Sequence, residues 1–493
     1  MADWTEWLDQ TREAVRETHA ERQEFARKCN EELLAREPFG ERVEEALWRF
    51  RALSVRAMEK GVFAYKGLDS FLHFSIVNAH DAAVDALACI YSGSGAPSAA
   101  LLRRLYELTN LLTAGWLKPE ELRLAMEEAL ARPYADDRYA RLAEAGDLGA
   151  VMPSPNRVRK LAFGNSPEIR EFEKVLKSFA HGGFASYFFY RSPNQQTDRL
   201  GRMIESSRDL ARAAKDNTVM ASAAAAQIAS RLGFDMTFPH AYAVFRPDVV
   251  EAREDEAMRA FDECFPDAVD MIWSACVGVG SVNLELSDHI GSREHDPIRR
   301  QQLVLVDCLE SAWLATELLF RGRLVASGTV TRRLFELSLE AQAWAQRPAM
   351  MTDRFDEPTG QFTTPSAAHL IRVLHGPKDS ANQRRTYSTL CSIAHGGAQA
   401  EDFLLDGDWP RIRIQPAPAF MRRHHVWLLG TLISGVDALL GASLLIADQI
   451  DPEIGRNHGG HLTHFREAVK TIPGVNLVRH EEAEPEWDVM GAE

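Results

Sequence analysis

The run Ser178-Phe179-Ala180-His181-Gly182-Gly183 returns later in the chain as Ser392-Ile393-Ala394-His395-Gly396-Gly397. Upstream of each lies a second matched element, Arg103-Arg104-Leu105-Tyr106-Glu107-Leu108 and Arg332-Arg333-Leu334-Phe335-Glu336-Leu337, in the same order. Residues 74–108 align with 303–337 without a gap, with about ten identities. The matches include Val77/Val306, Ala83/Ala312, Gly93/Gly322 and Ser98/Ser327, and nearly every apolar position stays apolar. A spacing of roughly 220 residues is far beyond a solenoid repeat. It implies one domain, duplicated, that kept an Arg, a Glu and a His in place.

Each block reads as a helical hairpin. The first helix is expected over 72–91 or 302–320. Gly93 or Gly322 then lies in a turn where positive φ costs glycine little. Ser98 or Ser327 is expected to cap a second helix ending near Trp116 or Trp344. A Pro-containing variable segment follows. Next come a helix ending at the His (167–181, 381–395) and a long last helix (206–232, 419–448) with small faces at Ala221–Ala226 and Gly435–Gly441. Residues 1–36 hold no Gly or Pro and space Trp4, Trp7, Leu8, Val15, Phe25, Cys29 and Leu33 as an amphipathic helix. Its apolar stripe must meet the body or a second chain. Only Arg411-Ile412-Arg413-Ile414 alternates as a strand would. The expected fold is all-α: an N-terminal helix (1–36), a bundle (37–232), a linker (233–262), a second bundle (263–450) and a C-terminal extension (451–493) with a disordered acidic end. Duplicated bundles should pack about a pseudo-two-fold axis, as homodimers do.

Composition excludes several classes. The net charge of −15 opposes non-specific binding to nucleic acid or an anionic membrane, while leaving room for a local basic site at Arg103-Arg104, Arg332-Arg333, Arg384-Arg385 or Arg422-Arg423. Six cysteines without a C-x-x-C argue against a disulfide scaffold or zinc ribbon. Cys89, Cys276, Cys308 and Cys391 read as small buried hydrophobes. No apolar run of about 18 residues is free of charge or Gly, so no membrane span is expected. The nearest, 426–446, reads as a buried helix. The first residues carry neither a basic nor an apolar signal region, and a cytoplasmic protein is expected.

Arg104 and Glu107 are three apart on one helix face, as are Arg333 and Glu336. His181 and His395 each end a helix before two glycines. The structural account of that histidine is a C-terminal cap favoured by the helix dipole. The functional account uses the same exposure: an imidazole at a helix end serves as general acid or base near neutral pH. Within each copy, Arg104, Glu107 and His181 should converge, as should Arg333, Glu336 and His395. A third cluster, His458, His461 and His464, follows a His-Gly-Gly run and is expected in a polar loop, because Gly459-Gly460 disfavours a helix there. No metal or cofactor site is expected, and no P-loop, G-x-G-x-x-G, H-E-x-x-H or G-x-S-x-G occurs.

The Arg–Glu helix followed by a Ser-x-x-His helix end resembles a set of uncharacterised bacterial helical domains. These are related distantly to the HEPN (higher eukaryotes and prokaryotes nucleotide-binding) four-helix bundles. The resemblance covers about 70% of the chain as two copies. It implies metal-independent RNase chemistry, with Arg and His from paired bundles meeting at a two-fold interface. The family pattern places an Arg four to six residues before the His. Here those positions hold Lys177, Leu176 and Val175, or Cys391, Leu390 and Thr389, so the Arg must come from the preceding hairpin.

Two function classes remain. One is a HEPN-like RNase or nucleotide-acting effector, with bacterial defence as its setting, His181 and His395 as acid/base groups and Arg104 and Arg333 stabilising phosphate charge. The other is a non-catalytic helical scaffold in which Arg, Glu and His form a polar core network. RNA or a nucleotide is the expected ligand, and self-association into a dimer through residues 1–36 is the expected assembly.

Overall fold

The computed structural model describes residues 4–60, 68–130, 153–180, 199–234, 247–289, 297–356, 361–362, 365–395, 420 and 422–475. Among these the chain is all-helical, apart from one two-residue antiparallel pairing, β1 (Phe355–Asp356) with β2 (Gln361–Phe362). The alternating segment 411–414 lies outside the described residues, as do His181 and the acidic end.

Both expected helical hairpins are present. In the first half, α3 (Leu68–Tyr91) turns into α4 (Ala96–Leu117); in the second, α11 (Pro297–Phe320) turns into α12 (Leu324–Gln346). Both first helices end in the same hydrogen-bonded cap. Gly93 N–H donates to Ile90 and Ser94 N–H to Cys89; Gly322 N–H donates to Leu319 and Arg323 N–H to Leu318. Gly93 has φ 70° and Gly322 φ 73°, as the turn demands. Ser98 and Ser327 are not the caps. The second helices begin two or three residues earlier, and these hydroxyls donate back to the carbonyls of Gly95 (2.6 Å) and Ala315 (2.8 Å). A buried hydroxyl closer to a carbonyl than to a free amide bonds that carbonyl.

Around α4 pack α3, α6 (Pro155–Phe163), α7 (Pro167–Ala180) and α8 (Arg199–Arg231), with α2 (Glu41–Lys60) against α3 and α8, while α5 (Pro119–Leu130) follows α4 directly. Around α12 pack α11, α13 (Pro348–Thr352), α14 (Ala367–Leu374), α15 (Pro377–Ala394) and α16 (Arg422–Ile450), with α10 (Ala268–His289) against α11 and α16. Helices α4 and α12 are buried on nearly every side, which explains why their sequences lack a polar face. They also touch each other, so the most buried helix of each half meets its counterpart. Gly435 of α16 allows this density: a Cβ there would sit 3.1 Å from Leu334 Cδ2. By length and composition α16 is apolar enough to cross a membrane, yet Leu428, Leu429, Leu432, Ile433, Val436, Leu439 and Leu440 are buried in the chain's own core.

Helix α1 (Trp4–Arg36) lies on this body, against α3, α8, α10 and α17 (Pro452–Val469). Trp7, Leu8, Val15, Cys29 and Leu33 are covered, so the apolar stripe is spent within the chain. Arg22 holds Glu310 with two nitrogens, and His19 stacks on Trp273, which stacks on Trp313 at 5.0 Å. Within the expected linker lies α9 (Pro247–Cys264), whose Glu254 accepts from Arg321 and Arg323. The C-terminal extension also starts as structure. Helix α17 runs through Gly459 and Gly460, so the three histidines are helical rather than in a loop. Their ring contacts to α1 and α10 outweigh the roughly 1 kcal/mol that each helical glycine costs. Gly278 of α10 fits this packing, since a Cβ there would meet His461 Cγ at 3.1 Å.

Gly93 offers a local test of how tightly α1 is held. Besides its positive φ, an added Cβ would lie 2.7 Å from Cys29 Sγ, whereas at Gly40 (φ 72°) it would meet nothing within 4 Å. Gly93→Ala should cost about 2 kcal/mol or more, and Gly40→Ala about 1 kcal/mol from backbone strain alone. Equal losses in denaturant melts would mean α1 yields freely at Cys29.

Candidate functional site

The matched Arg-Arg-x-aromatic-Glu elements of α4 and α12 line one shared cavity. Its walls are Arg103, Arg104 and Glu107 from α4, Arg332, Arg333 and Glu336 from α12, and His395 at the end of α15. The sequence predicted two sites, one per copy. The described residues instead bring both Arg–Glu elements to a single junction, because α4 and α12 are neighbours.

The pairings also differ from those expected. Glu107 pairs with Arg103, whose Nε donates at 3.0 Å, rather than with Arg104. Arg332 Nη2 donates to Glu336 at 3.1 Å, rather than Arg333 doing so. Both pairs are four residues apart instead of three. On an isolated helix the two spacings are equally good; here the α4–α12 contact turns the first arginine of each pair toward the glutamate. The second arginine of each pair is deeper. Arg333 donates to Asp307 of α11, and Arg104 is 1% exposed.

His395 crosses between the halves. Its Nδ1 bonds the Glu107 carboxylate in the first half of the chain, and its Nε2 receives Arg332 Nη1 at 2.9 Å. A guanidinium can only donate, so Nε2 is the lone-pair nitrogen and Nδ1 carries the proton. Burial lowers the His395 pKa first, and Arg332 and Arg103 add to it; Glu107 opposes. The imidazole is therefore neutral around pH 7. Burial alone would raise the Glu107 carboxyl, but His395, Arg103 and Arg332 outweigh it and hold it at about 2. The result is a continuous chain, Arg103–Glu107–His395–Arg332–Glu336. Tyr387 of α15 extends it, donating to Glu336 at 2.7 Å and stacking on Phe335. Burial, then Glu336, pushes the Tyr387 hydroxyl well up, so it stays a donor.

Carboxylate, imidazole in a fixed tautomer and guanidinium together are the parts of metal-independent acid–base chemistry at a phosphate or acyl centre. The cavity's volume is about 10 Å³, room for a single water. Of the residues the sequence singled out, Arg104, Glu107, Arg333, Glu336 and His395 all line this cavity. Sequence reasoning missed Arg103, Arg332, Tyr387 and Asp307. The doubled arginine was the only available signal for the first two, and nothing in the sequence pointed to Tyr387. His181 lies outside the described residues. No group of three or more His, Cys, Asp or Glu side chains suited to a metal occurs among the described residues.

Comparison with family models, with curated proteins and with solved structures returned no match.

Proposed function

We propose that this chain is a duplicated HEPN-like protein, two bundles related by a pseudo-two-fold axis, acting in the cytoplasm as a metal-independent RNase or nucleotide-acting effector. The duplication is supported by the identical hairpin caps and by the parallel neighbours of α4 and α12. The observation that carries the functional reading is the Glu107–His395–Arg332 chain across the junction. Glu107 orients the ring, Nε2 is the base for a ribose 2′-hydroxyl, and the arginines stabilise charge developing on the phosphate. His181, from the matching motif, is the corresponding acid/base group of the first copy. For this chemistry Arg332 must leave Nε2 as substrate arrives. A role in bacterial defence and a dimeric state belong to the same proposal.

One observation favours the second reading, a structural polar network in a scaffold protein. Both His395 nitrogens are already bonded, and the space beside them has room for only one water. Mixed RNA incubated in EDTA separates the two. The RNase reading expects cleavage that falls at least about a hundredfold in His395→Ala and further with His181→Ala, as loss of an acid–base group typically does. Intact RNA in every buffer, together with a lower melting temperature for the variants, would establish the network instead.

A further inference from the structure

The two sides of the cavity are not equivalent, and the difference lies in one amide. Arg333 is neutralised by Asp307, which stands twenty-six residues before it. The residue twenty-six before Arg104 is Asn78, at the position of α3 that aligns with Asp307. Asn78 is wholly buried, and among the described residues neither its Nδ2 nor its Oδ1 has a hydrogen-bond partner. The same holds for Nε, Nη1 and Nη2 of Arg104. Asp85 and Asp81 act on Arg104 only through space, and Asp85 is already paired with Arg323 at 3.4 Å.

A charge tally isolates the odd group. The cavity wall carries four guanidiniums. Arg103 is matched to Glu107, Arg332 to Glu336 and Arg333 to Asp307. Among the described residues no carboxylate pairs with Arg104. A buried cation with five unused donors is a costly arrangement unless something else supplies the negative charge. Burial pushes its pKa down to about 10, against the pull of Asp85 and Asp81, so it remains a cation at neutral pH.

We infer that Arg104 is the principal contact for a phosphate group entering between α4 and α12, and that Asn78 in place of an aspartate keeps it free to serve. The site is single and asymmetric: Arg104 binds, and Arg333 is structural. Arg103 and Arg332, at 8% exposure each, form the rim. An anion reaching Arg104 must draw Arg332 outward, which frees His395 Nε2. This deepens, and rests on, the reading of the cavity as the functional site.

The test is thermal unfolding of the full chain against inorganic phosphate and, separately, a short deoxyoligonucleotide, at constant ionic strength with chloride as control. Wild type should gain roughly 3 °C at saturation with at least one probe; which probe acts distinguishes free phosphate from a phosphodiester. Arg104→Gln should lose the response. Asn78→Asp should melt higher without ligand and also lose the response, which separates lost binding from lost folding. Asp307→Asn should do the converse, melting lower and gaining a response. Asn78→Asp responding like wild type, or wild type responding to neither probe, would overturn the proposal. RNA cleavage that persists undiminished in Arg104→Gln would overturn it while leaving the RNase reading intact. A phosphate response without any RNA cleavage would support the site and count against the RNase.

Discussion

Glu107→Ala is expected to destabilise the protein by about 3–5 kcal/mol, the usual result of removing one partner from a buried charged network. The glutamate is 6% exposed and holds Arg103 on one side and His395 on the other. Its loss removes the acceptor shared by Arg103 Nε and the His395 Nδ1–H between the two halves. Glu107→Gln keeps the volume and an acceptor oxygen, and should cost less. A double-mutant cycle of Glu107→Gln with His395→Ala, read from denaturant melts, should give a coupling of about 1–3 kcal/mol. Additive losses would mean the two side chains do not support each other.

The same pair fixes how stability varies with acid. Burial opposes ionisation, but His395 and Arg103 hold the Glu107 carboxyl at about 2 in the fold, against the ordinary 4.5 of a free glutamate. Its contribution is therefore present above pH 4.5 and lost as pH falls toward 2, and it amounts to about 3 kcal/mol. His395 is also depressed in the fold, so the unfolded chain takes up its proton first as pH drops below 6.5. Both groups act in the same direction: stability should fall on acidification, beginning below pH 6.5. Glu107→Gln should remove the lower part of that fall. An identical pH profile in wild type and variant would contradict the assignment.

The helical hairpins were legible because they rest on local rules. Gly93 and Gly322 punctuate apolar runs, and a turn needing positive φ leaves few alternatives. The site was legible only as composition. The matched motifs suggested that Arg, Glu and His belong together, but not that Glu107 in the first half meets His395 in the second. That pairing depends on which helices meet, and α4 and α12 are too uniformly apolar for their periodicity to say so. The choice between Arg103 and Arg104 failed for a related reason: three- and four-residue spacings share a face, and only the neighbouring helix decides. At the C-terminal histidines the local rule was applied correctly and overridden by tertiary packing. Gly459 and Gly460 do disfavour a helix, but the aromatic contacts of His461 and His464 with Trp7 lie one turn further on and hold it.

Those contacts set the second large expected effect. Trp7→Ala should cost about 3–5 kcal/mol, in the range for emptying a buried aromatic site. Trp7 is 4% exposed, donates Nε1–H to His461 Nδ1 at 2.9 Å and stacks on His464 at 6.2 Å between ring centres. It is the chief aromatic anchor between α1 and α17, and a lone helix of this composition is marginal in water. The variant should therefore release the first turns of α1, seen as faster proteolysis within residues 4–36 at a temperature where the body stays folded. Trp7→Phe separates packing from hydrogen bonding: it should cost only about 1–2 kcal/mol. Acid should act through the same bond. Burial lowers the His461 pKa, with His458 and His464 adding to it; His458 is itself bonded to Glu285 at 2.7 Å. A base depressed in the fold contributes stability above pH 6.5 that disappears as pH falls, because protonated Nδ1 can no longer accept from Trp7. Proteolysis of α1 should thus accelerate between pH 7 and pH 5 in wild type, and less steeply in Trp7→Phe, which has no such bond to lose. A Trp7→Ala protein that melts as wild type does, with α1 still protected, would show that Arg22, Cys29 and Leu33 hold the helix without it.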